Sequence, residues 1–314
     1  MTGAAPRAAG VRIGYDQTPE RIRDWVDDVL GSPVKATSEQ VGGMSPGCAT
    51  RVLTANGRRA FVKAVGPELN PVTPDLFRHE ALVLTHLGAN PLWAELLEVY
   101  DEPGGWVALV LEDVAGGHPD ITNPDHVATM LAATDELTDA LAGQAATLDI
   151  ATSSDGVHRW TEAWPALDEV PSDVLPAWVR EHAPELESRH RDLVDAAAGD
   201  NLVQNDIRND NLILRADGSL VFVDWGMARR GASWVDPLIV RLEWVEQPVF
   251  DDLVAASPAL KELGDEQVTT FLVALGVWLA HRTTVPMIGL PTMDLFRRTE
   301  SARLLEGARR RLAR

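Results

Sequence analysis

Asp206, Asn211 and Asp224 are the residues of this chain whose types and spacing could do chemistry. Asp206 and Asn211 fall five residues apart in the run NLVQNDIRNDN at 201–211. A turn signal at Asp217-Gly218 then separates that run from the β-prone VFV at 221–223, which ends on Asp224 ahead of Trp225-Gly226. Two carboxylates and an amide facing one small volume suit phosphoryl transfer from ATP. That reaction asks the protein for metal ligands on the β/γ-oxygens and one carboxylate to orient the attacking hydroxyl, and for little covalent help.

Further parts of such a site precede these residues in order. Gly42, Gly43 and Gly47 flank a Met44-Ser45-Pro46 turn, with Gly43, Ser45 and Gly47 expected against the phosphates. A β-prone run at 50–54, a type I′ hairpin signal at Asn56-Gly57 and a returning strand at 59–65 follow, and Lys63 lies within that strand between apolar neighbours. An ammonium so placed needs an acid. Thr73-Pro74 reads as a capped helix start, and Leu76, His79, Glu80, Val83, Leu84 and Leu87 then keep helical spacing. Glu80, on or beside the apolar face, is the expected partner of Lys63. Each piece also has an ordinary reading: a glycine loop, an edge-strand lysine, a strand-ending aspartate as turn former. Their order and context argue for the joint one.

The chain resembles the aminoglycoside phosphotransferase family, small-molecule kinases that share the two-lobed protein-kinase-like fold with choline kinases. The resemblance runs from Gly42 to Trp244 and is strongest over LVQNDIRNDNLIL and VFVDWGMARRGASWVDP. It implies an ATP- and Mg²⁺-dependent transfer to a hydroxyl of a small molecule. Asp206 would be the catalytic aspartate, Asn211 and Asp224 the metal ligands, and Lys63 with Glu80 the ion pair on the α/β-phosphates. Asp236 would brace the catalytic loop. Glu112-Asp113-Val114 would be the hinge, with Glu112 and Val114 offering main chain to adenine. Two positions depart from the family's usual HGD: Gln204 replaces histidine and Asn205 replaces glycine. Glutamine can also donate and accept hydrogen bonds. The departure nevertheless keeps a second reading open, a nucleotide-binding pseudokinase with a regulatory role. Arg208, two residues after Asp206, is read either as a cation for the transferring group or as a surface partner of Asp210.

The elements that must position these groups are those of an α+β chain of two lobes. A small antiparallel sheet lobe with one key helix (1–113) is expected to bind nucleotide, and a larger, mainly helical lobe (114–314) to carry catalysis and the acceptor. Strands are expected near 38–41, 48–54, 59–65, 95–101 and 106–112. An N-terminal helix capped by Thr18 should end at Gly31, and a long helix should start at Asn123-Pro124. Residues 152–184, with Trp160, Trp164 and Trp178 among four prolines, read as loops and short helices, and the family resemblance implies that this interval covers the acceptor site. Trp160 and Trp164, at i and i+4, are either substrate contacts or core. The apolar stretch 268–280 is too short to span a bilayer and reads as a buried helix.

Length, at 314 residues, and an apolar fraction of 45% fit two lobes. The first ten residues lack a signal-peptide pattern and read as a loose tail. A single cysteine, Cys48, excludes an internal disulfide and suits the cytoplasm. Net charge is −19, and it is uneven: residues 114–296 hold 11 Lys/Arg against 30 Asp/Glu, while 297–314 hold seven Arg against two Glu. Such a balance argues against nucleic acid as partner. It favours cationic acceptors such as aminosugars, drawn to a pocket entrance lined by acids.

Overall fold

The computed structural model describes residues 10–40, 43–285, 287 and 290–313. The expected N-terminal tail, but for Gly10, and Gly42 of the glycine loop lie outside the described residues.

Five antiparallel strands form one sheet in the order β1-β2-β3-β5-β4: β1 Val34–Glu39, β2 Cys48–Thr54, β3 Arg59–Val65, β4 Leu96–Asp101 and β5 Val107–Leu111. Side chains alternate across the sheet, so its two faces meet different partners. Cys48, Val52, Ala60, Val62, Ala64, Ala108 and Val110 pack with Ile22, Val26 and Leu30 of α1 (Glu20–Leu30). Val65, Val107, Leu109 and Leu111 meet Phe77, Ala81 and Leu84 of α2 (Thr73–Leu87). The register pairs Ala49 with Lys63 and Lys63 with Leu109, and one step on pairs Arg51 with Phe61 and Phe61 with Leu111. Lys63 is therefore presented on the α2 face of the sheet.

Local details differ from the sequence reading for identifiable reasons. β1 begins four residues earlier than expected; it is an edge strand whose exposed face carries no apolar alternation, and its place is set instead by Val34 N–H donating to Asp27 Oδ1 at 2.8 Å. The β2–β3 connection, residues 55–58, has only Gly57 at positive φ (89°) and is not the type I′ turn. Asn56 Oδ1 accepts from Thr54 Oγ1 at 2.5 Å and Arg58 N–H at 3.2 Å, which closes the longer loop. Thr18 does not cap α1, for its hydroxyl donates to Tyr15 O at 2.7 Å. The start of α2 is tied by Asn70, whose Oδ1 accepts from Val72 N–H, Thr73 N–H and Thr73 Oγ1 at 2.9 to 3.0 Å.

The larger lobe is helical: α3 Pro124–Ala140, α4 Ser153–Arg159, α5 Ala177–Glu181, α6 Ala183–Ala196, α7 Val235–Arg241, α8 Val249–Ala256, α9 Pro258–Leu263, α10 Asp265–Arg282 and α11 Met293–Leu312. Asn123 caps α3 as expected, accepting from Asp125 and His126 N–H. A 3₁₀ stretch, Trp160–Glu169, and short helices fill the tryptophan-rich interval. Residues 268–280 lie within α10, mostly buried. Among the described residues no helix is long and apolar enough to cross a membrane. Two short ribbons carry the chemistry-bearing loops: β6 Asn201–Val203 with β9 Arg229–Gly231, and β7 Leu212–Leu214 with β8 Leu220–Phe222.

Candidate active site

Lys63 Nζ donates to both oxygens of Glu80, at 2.9 and 2.7 Å, and to Asp224 Oδ1 at 3.2 Å. The pairing expected from strand and helix spacing is thus present, with the metal-candidate carboxylate as a third member. Burial opposes the Lys63 charge, but Asp224 and Glu80 outweigh it and hold the ammonium protonated above its usual range. Asp224 is likewise opposed by burial, yet Lys63, with Arg208 and Arg12 adding, keeps it ionised below the usual carboxylate range.

The loop after β6 is built around Gln204, which is fully buried. Its amide N donates to Val223 O at 3.1 Å and Asp224 O at 2.9 Å, while its Oε1 accepts Asp206 N–H at 2.9 Å. One side chain therefore ties the Asp206 loop to the backbone that presents Asp224. Asn205 adopts a left-handed φ of 63°, a conformation asparagine tolerates better than most residues, which accounts for its use where glycine is usual. Asp236, buried behind the loop, accepts Gln204 N–H at 2.7 Å and Asn205 N–H at 2.8 Å, the bracing expected of it.

Asn211 donates through Nδ2 to Asp206 O at 2.8 Å and to Asp206 Oδ2 at 2.9 Å. Both amide protons are committed to Asp206, so its carbonyl oxygen is the atom left to face a cation. Asn211 and Asp224 line the same cavity. One carboxylate and one amide oxygen, with substrate phosphates completing the shell, is the hard-oxygen donor set that suits Mg²⁺. Among the described residues no group of three His, Cys, Asp or Glu could hold a metal ion by itself.

Asp206 Oδ1 accepts from Arg208 Nη1 at 3.1 Å. Burial pushes the Asp206 carboxyl up to about 6, against the pull of Arg208. Arg208 also grips Asp210 through Nε at 3.0 Å and Nη2 at 3.2 Å, and its Nη1 lies 3.8 Å from Met44 Sδ. Arg208 thus pairs with Asp210, and it also spans from Met44 of the glycine loop to Asp206.

Two cavities meet here. One, of about 470 Å³, is lined by Gly43, Ser45, Lys63, Glu80, Glu112 and Val114 among others, and by Asn211 and Asp224. The other, of about 530 Å³, includes Asp206, Arg208 and Asp224 and is walled by α4, α10 and α11. Ser45, Phe77 and Asp224 line both.

A family model described as "Phosphotransferase enzyme family" matches residues 49–276. The chain belongs to the phosphotransferase enzyme family. No curated protein matches it. Among solved structures it is similar to a thermostable mutant of aminoglycoside phosphotransferase APH(4)-Ia in ternary complex with ADP and hygromycin B, at 14% identity and TM-score 0.64, over 92% of this chain and 98% of that one. It is also similar to choline kinase LicA from Streptococcus pneumoniae (15%, 0.63, covering 93% and 98%). A third is amicoumacin kinase hAmiN in complex with AMP-PNP, Ca²⁺ and Ami (12%, 0.55, covering 94% and 94%). At these identities the likeness carries the protein-kinase-like fold.

In this phosphotransferase several expected site residues take other places. Gly47 does not line either cavity; its φ is 111°, and a Cβ there would fall 2.5 Å from Ala64 O, so the glycine serves close approach to β3. The Glu112 carboxylate turns outward to Arg215 at 2.9 Å, leaving only its main chain for the cleft. Val114 O accepts from Arg51 Nη2 at 3.2 Å. Trp160 and Trp164 part company. Trp164 is core, donating to His190 Nδ1 at 2.8 Å, whereas Trp160 lines the second cavity against Phe271 and Trp278. The acid-lined acceptor entrance is not borne out. The second cavity holds four carboxylates (Asp206, Asp224, Glu243, Glu300) against six arginines, in apolar and aromatic walls, because the acids of this lobe lie mainly on outer helix faces. Cys48 is a buried filler, its thiol pushed up to about 12 by desolvation.

Sequence reasoning missed Arg12, which lines the first cavity and lies within electrostatic reach of Asp224. No local signal marks it, since it reaches the site through a parallel bridge to Gly47. Glu243, which accepts Asn209 N–H at 3.0 Å, was equally silent. Asn70 was findable, because Asn-Pro ahead of Thr-Pro is a turn-then-helix signal.

Proposed function

We propose that this enzyme transfers the γ-phosphoryl group of Mg·ATP to a hydroxyl of a small polar molecule. The observation that carries the reading is that Asp224 lines both cavities while Asp206 lines only the second, with Lys63 and Asn211 on the first. A nucleotide entering past Glu112 and Val114 would bring its phosphates to Lys63 and Asp224, and an acceptor in the second cavity would meet Asp206. Bound Mg²⁺, held by Asn211 and Asp224, would neutralise charge on the β- and γ-phosphate oxygens. Asp206 accepts the hydrogen bond of the acceptor hydroxyl. The hydroxyl oxygen forms the new bond to the γ-phosphorus as the bond to the β-γ bridging oxygen breaks, and ADP leaves. The hydroxyl proton passes late to Asp206 and on to solvent. Residues 1–113 serve the nucleotide and 114–314 the catalytic loop and acceptor.

The regulatory alternative was motivated by Gln204, and the three hydrogen bonds by which that side chain holds the loop support the kinase reading over it. An ADP-release screen against sugars, amines, hydroxy acids and antibiotics, run beside Asp206→Asn, tests the proposal. Acceptor-dependent ADP release that Asp206→Asn abolishes supports it. An ATP-binding protein with no turnover against any acceptor restores the regulatory reading.

A further inference from the structure

The second cavity carries a charge pattern opposite to that of the chain. Arg159, Arg229, Arg282 and Arg297 line it, and among the described residues none of the four forms an ion pair with a carboxylate. Of the acids that share the lining, Glu300 is held by Arg303 at 2.9 Å, Glu243 accepts Asn209 N–H, and Asp206 and Asp224 belong to the catalytic site. In a protein of net charge −19, arginines left without acids around one cavity need a reason.

Arg297 has a structural one: it donates to Arg282 O at 2.6 Å and Val285 O at 2.8 Å, closing the carbonyl end of α10. Arg229 has none of that kind. Its strand pairs with β6 at Val203, three residues before Asp206, which sets it beside the catalytic loop. Its guanidinium is laid over Gly156 of α4, where an added Cβ would come 3.2 Å from Nη1. Its one acceptor among the described residues is Thr152 O, at 3.1 Å, so most of its five N–H donors are uncommitted. Burial and the nearby Arg159 both depress its charge, with Asp155 only partly offsetting them. Two guanidiniums that repel each other on the wall of a cavity gain most from a bound anion. A part of the wall is apolar, with Trp160, Phe271, Trp278 and Phe296 presenting aromatic surface.

We propose that the acceptor is an anionic hydroxy compound with an aromatic or similarly bulky apolar body, its carboxylate or phosphate seated on Arg159 and Arg229 and its hydroxyl directed to Asp206. This rests on the reading of Asp206 as the group that orients the acceptor.

The test uses two naphthalene probes of like size, the anionic 8-anilinonaphthalene-1-sulfonate and the neutral N-phenyl-1-naphthylamine, titrated by fluorescence into the full chain and into Arg229→Gln, Arg229→Lys and Arg159→Gln. Loss of charge-assisted hydrogen bonds should weaken the anionic probe about tenfold or more in both glutamine variants, with the neutral probe changed less than about twofold. Arg159 is exposed at the end of α4, so its variant stays informative should Arg229→Gln not fold. Displacement of the anionic probe by 3-phenylpropionate identifies a carboxylate ligand, and displacement by phenyl phosphate a phosphate one. Probe binding indifferent to the variants, or displacement by phenethylamine instead, overturns the proposal. So does an equal weakening of Mg·ATP in Arg229→Gln, measured by calorimetry, which would assign the arginines to the nucleotide. Anion selectivity in a wild-type protein that fails to bind Mg·ATP would sink the kinase reading while leaving the anion site standing.

Discussion

Gln204 shows how a substituted residue can keep a site intact by supplying the right donors and acceptors. Its amide gives two N–H bonds to consecutive carbonyls and takes one from Asp206, a set that an imidazole, with one donor and one acceptor in its neutral form, meets only in part. Gln204→Leu should therefore lower stability by roughly 3 kcal/mol or more, since three buried backbone groups lose their partner. Gln204→His should fall between the two, and denaturant unfolding of the three proteins ranks them. In the proposed mechanism Asp206 is the residue on which turnover would depend. Asp206→Asn should leave Mg·ATP affinity within a few fold while lowering kcat by about 10²-fold or more. Because burial raises the Asp206 carboxyl to about 6, it is protonated below that pH and cannot accept the hydroxyl proton. The kcat/KM profile for a turned-over acceptor should thus rise through about pH 6 and level above it. The same upward shifts at Asp206 and Asp236 make the folded state bind more protons than the unfolded chain between about pH 4 and 6, so their contribution to stability falls as pH rises through that window.

At the scale of elements, what was legible followed period and punctuation. Lys63 with Glu80 came from one polar residue in an apolar strand and one on a helix face, and the α3 start came from Asn-Pro. The register of β1, the form of the β2–β3 loop and the true tie of α2 were not legible, because each is decided by a tertiary or side-chain hydrogen bond rather than by apolar spacing. The tryptophans show the same limit. Helical spacing placed Trp160 and Trp164 together, but both lie within a 3₁₀ stretch that also contains Pro165, and a three-residue turn sends side chains four apart in different directions. Trp164→Phe should accordingly lower the thermal midpoint, since His190 Nδ1 loses its donor. Trp160→Ala should raise the acceptor KM with little change in the KM for ATP. Steady-state kinetics with calorimetric unfolding separates the two, and a reversal of these effects would contradict the placement.

For the whole molecule, sequence order was enough to read the fold and to assign Lys63 to a strand, Glu80 to a helix face, and Asp206, Asn211 and Asp224 to the loops that follow short strands. The second cavity, where the acceptor is proposed to bind, was not readable. Its wall draws on α4, the 3₁₀ stretch, β9, α10 and α11, elements far apart in sequence, and net charge summed over the lobe says nothing about which charges turn inward. Arg159 and Arg229 look like surface charges until the fold brings them to one wall. The proposed function rests on convergence: Lys63 and Asp224, 161 positions apart, meet in one cleft and would serve one nucleotide. Calorimetric titration of Mg·ATP into the wild type, Asp224→Ala and Asp206→Asn tests it most directly. The account predicts that Asp224→Ala weakens binding by about tenfold or more, as expected for losing a charged ligand, while Asp206→Asn stays within a few fold of wild type. Undiminished Mg·ATP affinity in Asp224→Ala would contradict it.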